Sequence, residues 1–221
     1  MPTVLSGIEL RVLGSLIEKQ VTTPEYYPLT LNALTLACNQ KNNRNPVTAF
    51  DEAAVAQALE TLREKNLTYV FYGSNSRVPK YKHVMPEIFH LDQAELAVMC
   101  VLMLRGAQTA GELRERTSRL HNFSGIDEID ATLNSLMVKD PEPLVVRLPR
   151  QPGQKEARFA HLLCGEVSID QSAESGLPKR PVTHRTSENE RVLKVEQEVE
   201  TLREEVASLQ QQFEDFKKQF E

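Results

Sequence analysis

The sequence predicts a mainly α protein with small β-hairpins, in which one small unit occurs twice in tandem and is followed by a C-terminal coiled-coil helix. Three observations carry that prediction: an internal repeat, strand-like segments at the same place in both copies, and an unbroken heptad pattern at the end of the chain.

The repeat is direct. Leu5–Ile17 aligns without a gap on Leu91–Met103, at an offset of 86. In one copy Ser6 and Glu9, and in the other Asp92 and Glu95, have the spacing of a capping box, in which an N-cap oxygen and a carboxylate three residues on satisfy the free amides of a helix start. Leu10, Leu13, Leu16 and Ile17 recur at helical spacing, as do Leu96, Met99, Leu102 and Met103, so each first helix carries a buried stripe. A second helix opens at Thr109 with Glu112 as capping partner, and Thr30 opens its counterpart ahead of Leu31, Leu34 and Cys38.

The third helices run from Asp51 to about Lys65 and from Gly125 to about Lys139. Val55, Ala58, Leu59 and Leu62 of the first match Ile129, Thr132, Leu133 and Leu136 of the second at an offset of 74, so the first copy holds an insertion of about twelve residues between its first and third helices. Each third helix leads into a hairpin: Leu67–Tyr72, a turn at Gly73–Ser76 and Arg77–Met85; then Leu144–Leu148, a turn at Gln151–Gln154 and Ala157–Leu163. Three helices and a hairpin in about eighty residues is the order of a winged helix, in which helices two and three form a helix-turn-helix and the hairpin is the wing. The expected organisation is therefore winged-helix domains at 1–86 and 87–164, a flexible linker at 165–187 and a coiled coil at 188–221. Units this small have modest cores, and the two are expected to pack on each other or on a partner subunit.

In the last segment Val192, Val199, Val206, Phe213 and Phe220 hold the a positions and Val195, Leu202, Leu209 and Phe216 the d positions. Val at a with Leu at d favours two parallel strands, with Glu198 facing Arg203 of the partner helix and Gln212 facing Lys217. A homodimer through these residues is expected; the alternative is a helix folded back on its own chain. This tail holds ten Asp/Glu and five Lys/Arg, which accounts for the whole net charge of −5 and leaves residues 1–187 neutral. A neutral body weakens the usual electrostatic case for nucleic-acid binding, which rests on a basic excess.

The segments Glu18–Pro24, Cys38–Val47 and Leu104–Arg114 resemble those of the YceH-like family of bacterial proteins, and the likeness extends over about residues 5–167. The resemblance implies tandem winged helices and a bacterial cytoplasmic setting; the family has no established activity, so it supplies no functional residues.

Composition agrees with a cytoplasmic protein. No apolar run approaches the roughly 18 residues of a spanning helix, and the first twenty residues lack a basic n-region and a cleavage site, so no membrane association is expected. Cys38, Cys100 and Cys164 are far apart and in no Cys-x-x-Cys spacing, and His83, His90, His121, His161 and His184 have no ligand spacing, so neither a metal site nor a disulfide framework is expected. Phosphate loops, His-Glu-x-x-His and Gly-x-Ser-x-Gly are missing from the sequence, which argues against an enzyme and against a cofactor. Asp127, Glu128 and Asp130 resemble a carboxylate cluster, but acids in a first helical turn complement the helix dipole without any metal.

Two function classes remain. The exposed sides of the third helices carry Glu52, Gln57, Glu60 and Glu64, and Asp127, Glu128, Asp130 and Asn134, which suits a major groove poorly. Basic residues gather instead in the loop at Lys41, Asn42, Asn43 and Arg44, on the first wing at Arg77, Lys80 and Lys82, on the second short helix at Arg114, Arg116 and Arg119, and on the second wing at Arg147, Arg150, Lys155 and Arg158. A dimeric DNA-binding regulator would grip phosphates with these loops and wings. A protein-interaction scaffold, with winged helices docking a protein partner, is the alternative, and the acidic helices favour it.

Overall fold

The computed structural model describes residues 4–72, 78–150, 154 and 156–165. Among these the chain is mainly helical, with two small antiparallel sheets. The first copy comprises α1 (Gly7–Thr22), a 3-10 turn (Pro24–Tyr26), β1 (Leu29–Thr30), α2 (Leu31–Cys38), α3 (Glu52–Glu64), β2 (Thr68–Phe71) and β3 (Lys80–His83). The short α4 (Met85–Phe89) joins it to α5 (Gln93–Arg105), α6 (Ala110–Thr117), α7 (Ile126–Met137), β4 (Val145–Arg147) and β5 (Phe159–His161). All described residues lie in one compact unit, Met1–Leu177.

Local chemistry sets the starts of these helices. Capping boxes are formed at Ser6/Glu9, Asp92/Glu95 and Thr109/Glu112, while Thr30 and Asp51 cap α2 and α3 through their side-chain oxygens. Helix α7 begins on Gly125 without a side-chain cap, and Glu128 reaches back to the amide and hydroxyl of Ser124 at 2.7 and 2.8 Å instead. The first-turn carboxylate thus has a local structural partner, as an N-terminal turn favours.

Two features were not expected from sequence. The segment Arg77–Met85 is not all strand: β3 ends at His83, and Met85, with Pro86 behind it, starts α4. Pro fits the first turn of a helix, where its missing N–H costs nothing. Secondly, a short strand precedes α2 and adds to the hairpin, giving the sheet order β1-β3-β2, with Leu29 opposite Tyr81 and Thr30 opposite Lys80. The second copy reproduces this with a single bridge between Gln108 and Phe159 beside the β4–β5 pair.

The capping glutamates have a second task. Glu9 accepts from Lys65 Nζ at 2.6 Å, and Glu95 from Lys139 Nζ at 2.6 Å, so in both copies the start of the first helix is tied to the end of the third. Burial alone would raise both carboxyls, but the lysine and the serine or backbone donors outweigh it and hold them below the usual range.

The two copies share one core through α1 and α5. Gly14 and Cys100 occupy the same repeat position, and the Cys100 thiol donates to the Gly14 carbonyl at 3.5 Å. Gly14 also admits Leu104, whose Cδ2 lies 2.9 Å from where a Cβ at residue 14 would sit, while Cys100 lies against Glu18, the repeat counterpart of Leu104. A position that meets its own counterpart, with neighbours exchanged, is the signature of a pseudo-two-fold axis. The segment before α1 is tied to the residues after β5, Leu5 N–H donating to the Leu163 carbonyl at 2.7 Å.

Candidate nucleic-acid interface

The loop between α2 and α3, residues 39–51, is five residues longer than its counterpart at 118–125 and is built around two buried arginines. Asn39 closes its base by donating to the Phe50 carbonyl at 2.7 Å and accepting the Phe50 amide at 2.8 Å. Beneath it Arg11, from α1, donates to the carbonyls of Cys38 at 3.0 Å and Pro46 at 2.6 Å and to the Thr48 hydroxyl at 3.0 Å. Arg44 points inward and its side chain is fully enclosed. Its guanidinium meets both Glu18 oxygens, at 3.2 and 2.6 Å, and donates to the carbonyls of Ala37 and Asn43. This corrects the expectation that Arg44 serves a surface patch: the α2 C-terminal carbonyl and a buried carboxylate hold it inside, as buried charge requires. Asn43 is likewise engaged, its side-chain oxygen accepting from Arg105 and its backbone adopting φ 60°. Lys41 and Asn42 remain exposed at the loop tip.

The first hairpin presents two different faces. On the inner one, Thr68 and His83 are opposite and buried, and Val70 is opposite Tyr81. His83 is neutral in this setting: its Nε2 lies 2.6 Å from Gln20 Oε1, its Nδ1 accepts from the Met85 amide, and burial, with Lys82 nearby, pushes its pKa down to about 4. On the outer face Tyr69 is opposite Lys82 and Phe71 opposite Lys80. Tyr69 is 38% exposed and Phe71 43%, and Lys82 Nζ sits 4.7 Å from the centre of the Tyr69 ring. Arg77 lies outside the described residues.

The second hairpin is differently used. Arg147 stacks 5.9 Å from Phe159, which is buried. Arg158 donates to the Ala107 carbonyl at 2.9 Å and pairs with Glu112 at 3.4 Å, so its charge is partly committed to the α5–α6 corner. Arg150 is exposed and, with Arg147, Asp130, Asn134 and Glu156, lines an open groove of about 400 Å³ between the hairpin, α6 and α7. Lys155 lies outside the described residues. On α6, Arg114 is exposed and Arg116 pairs with Glu112 at 3.3 Å; Arg119, expected on the same helix, is exposed in the turn past its end at Thr117.

The exposed sides of α3 and α7 are acidic as the sequence suggests, with Glu52, Glu60, Glu64, Asp127 and Asp130 all exposed. Among the described residues no group of three His, Cys, Asp or Glu is placed to hold a metal, and no helix is long and apolar enough to cross a membrane. Cys38 and Cys100 are buried and Cys164 is exposed. The residues expected to dimerise, Val192, Val195, Val199, Leu202, Val206, Leu209, Phe213, Phe216 and Phe220, lie outside the described residues.

The structure thus keeps Lys41, Asn42, Lys80, Lys82, Arg147 and Arg150 accessible, commits Asn43 and Arg158 in part, and withdraws Arg44. Sequence reasoning missed the exposed rings of Tyr69 and Phe71. The signal was present as alternation within Thr68–Phe71, which puts residues 69 and 71 on one face of a strand.

Comparison with known proteins gives a family. Residues 5–154 match the family described as "Protein of unknown function, DUF480". The chain is 51% identical to a UPF0502 protein of Pelobacter propionicus and 48% identical to one of Geobacter sulfurreducens, in each case over the full length of both chains. It is 53% identical to a UPF0502 protein of Opitutus terrae over 90% of this chain and 84% of that protein. The chain belongs to the DUF480 family of UPF0502 proteins.

Proposed function

We propose that the chain is a cytoplasmic, non-enzymatic DNA-binding protein made of two tandem winged helices and dimerised by its C-terminal coiled coil. The order helix, short strand, helix, helix, hairpin, with sheet order β1-β3-β2, supports the winged-helix reading. The observation that carries the binding reading is the first hairpin's outer face, where Lys80 and Lys82 stand beside exposed aromatic rings. Lys41 at the insertion tip and Arg147 and Arg150 at the second hairpin supply further phosphate contacts. Binding runs through hairpins and loop, because the acidic sides of α3 and α7 would be repelled by phosphate. Pairing two protomers lets patches this small act together.

The test is a titration of the full chain with mixed duplex DNA fragments at two salt concentrations. Affinity should fall steeply with salt, and a variant with Lys41, Lys80, Arg147 and Arg150 changed to Ala should lose about 3–4 from the slope of log K against log salt. Absence of binding at low salt to duplex and to single-stranded DNA alike would overturn the proposal in favour of a protein-docking scaffold, the reading that the acidic helices support.

A further inference from the structure

We infer that the outer face of the β2–β3 hairpin is a stacking platform for two unpaired bases, so that the chain takes single-stranded DNA there in preference to duplex. The inference deepens the DNA-binding reading and rests on it only for the class of polymer.

The geometry has the period of an extended nucleic-acid strand. Tyr69 and Phe71 are two residues apart on β2, which separates their rings by about 6.8 Å along the strand. Successive bases in one strand of a duplex rise by about 3.4 Å, half that distance, so adjacent stacked bases cannot each lie on one of these rings. A strand drawn out and unstacked can. Each ring also has its own cation: Lys82 is directly opposite Tyr69 and Lys80 directly opposite Phe71. Ring and ammonium therefore repeat together along the hairpin, as base and phosphate repeat along a nucleotide chain. Aromatic rings on a sheet surface with lysines beside them are the recurrent chemistry of single-strand recognition, and they tolerate any sequence because every base has a π face.

The outer face is accessible in part. Tyr69 is 38% and Phe71 43% exposed, and Lys82 Nζ lies 4.7 Å from the centre of the Tyr69 ring, a surface cation–π contact that a base can displace while the ammonium moves to a phosphate.

The second hairpin is an internal contrast. Val145 opposite His161 corresponds to Thr68 opposite His83, so the positions of Tyr69 and Lys82 are held there by Val146 and Ala160, and those of Phe71 and Lys80 by Leu148 and Arg158. No ring stands on that face, and Arg158 is tied to Ala107 and Glu112. The platform belongs to the first copy alone, and nothing in the fold of the unit requires it.

The experiment uses the full chain and labelled probes read by fluorescence anisotropy: an oligothymidine and an oligouridine of about sixteen nucleotides, the upper end of common single-strand site sizes, and a duplex of the same length. Oligothymidine should bind at least tenfold more tightly than the duplex at equal salt. Tyr69→Ala with Phe71→Ala should lower oligothymidine affinity by at least tenfold and remove the preference, while the double variant still melts cooperatively, which shows that it remains folded. Tyr69→Phe should retain most of the affinity, because stacking needs the ring and not the hydroxyl. Equal or tighter duplex binding, or a double variant that still prefers the single strand, would overturn the inference while leaving DNA binding itself intact. Oligouridine bound tenfold more tightly than oligothymidine would overturn the assignment to DNA. Failure to bind any of the probes would remove both this inference and the reading it rests on.

Discussion

Arg44 separates a structural role from a binding role by one substitution. In Arg44→Ala the guanidinium that reaches both Glu18 oxygens and the Ala37 and Asn43 carbonyls is lost. Glu18, whose side chain is 11% exposed, is left with Lys19 at 3.9 Å and the field of Arg105, and the Ala37 carbonyl loses its donor. Breaking one partner of a buried ion pair costs about 3–5 kcal/mol, because the remaining charge stays desolvated. Spread over a unit of residues 1–177, that corresponds to a fall in melting temperature of about 6–20 °C. Scanning calorimetry of the full chain measures it, with urea denaturation as the check on free energy. Arg44→Met combined with Glu18→Met should recover part of the loss, since an apolar pair of similar volume removes the stranded charge, although the carbonyls of Ala37 and Asn43 stay unsatisfied. A melting temperature within about 1 °C of the parent chain in Arg44→Ala would refute the reasoning, since surface substitutions cost no more than about 0.5 kcal/mol.

Acid should destabilise the unit well above the carboxylate range. His83 is buried and His161 half-buried, burial pushes both pKa values down to about 4, and an unfolded histidine titrates near 6.5. Between those values the unfolded chain binds more protons, so stability rises with pH and falls as pH drops through this window. At pH 5 each contributes a loss of about 2 kcal/mol, and a melting temperature unchanged between pH 7 and pH 5 would sink the assignment. At the pseudo-two-fold seam, Gly14→Ala places its Cβ 2.9 Å from Leu104 Cδ2 and 3.0 Å from its Cγ. Overpacking should outweigh the gain in helix propensity by about 1–2 kcal/mol. Gly111→Ala in α6, whose new Cβ meets nothing closer than 3.9 Å, should instead stabilise by about 0.5 kcal/mol, and denaturant midpoints of both variants test the opposite signs.

What was legible in the sequence follows from which interactions are local. Capping boxes join residues three apart and apolar stripes recur every three or four, so both first helices and their counterparts could be read directly. The bonds that decide the candidate interface are long-range. Arg44 looked like a surface charge because it sits in a polar run, Lys41 to Asn45, and its partner Glu18 lies 26 residues away on another helix. The same distance hid Arg11, which is pinned to the insertion by Cys38, Pro46 and Thr48. Short β1 was hidden for a different reason: two residues carry no period, and Leu29–Thr30 becomes a strand only because β3 is there to pair with it.

The duplication gives a physical way to tell scaffold from site. Contacts made twice, such as Glu9 with Lys65 and Glu95 with Lys139, or His83 and His161 at the same hairpin position, are those without which neither copy closes. They follow from the fold and carry no information about a partner. Contacts made once lack that explanation. Two stand out: the insertion held by Arg11 and Arg44, which is also bonded to α5 through the Asn45 amide and the Leu104 carbonyl at 2.9 Å, and the ring-and-lysine face of the first hairpin. The first of these has a structural account, because it covers the joint between the copies and buries its charges there. The second has no counterpart in the other hairpin, where Val146 and Leu148 hold the positions of Tyr69 and Phe71. On the proposed reading, this face of the first hairpin is where the nucleic acid docks.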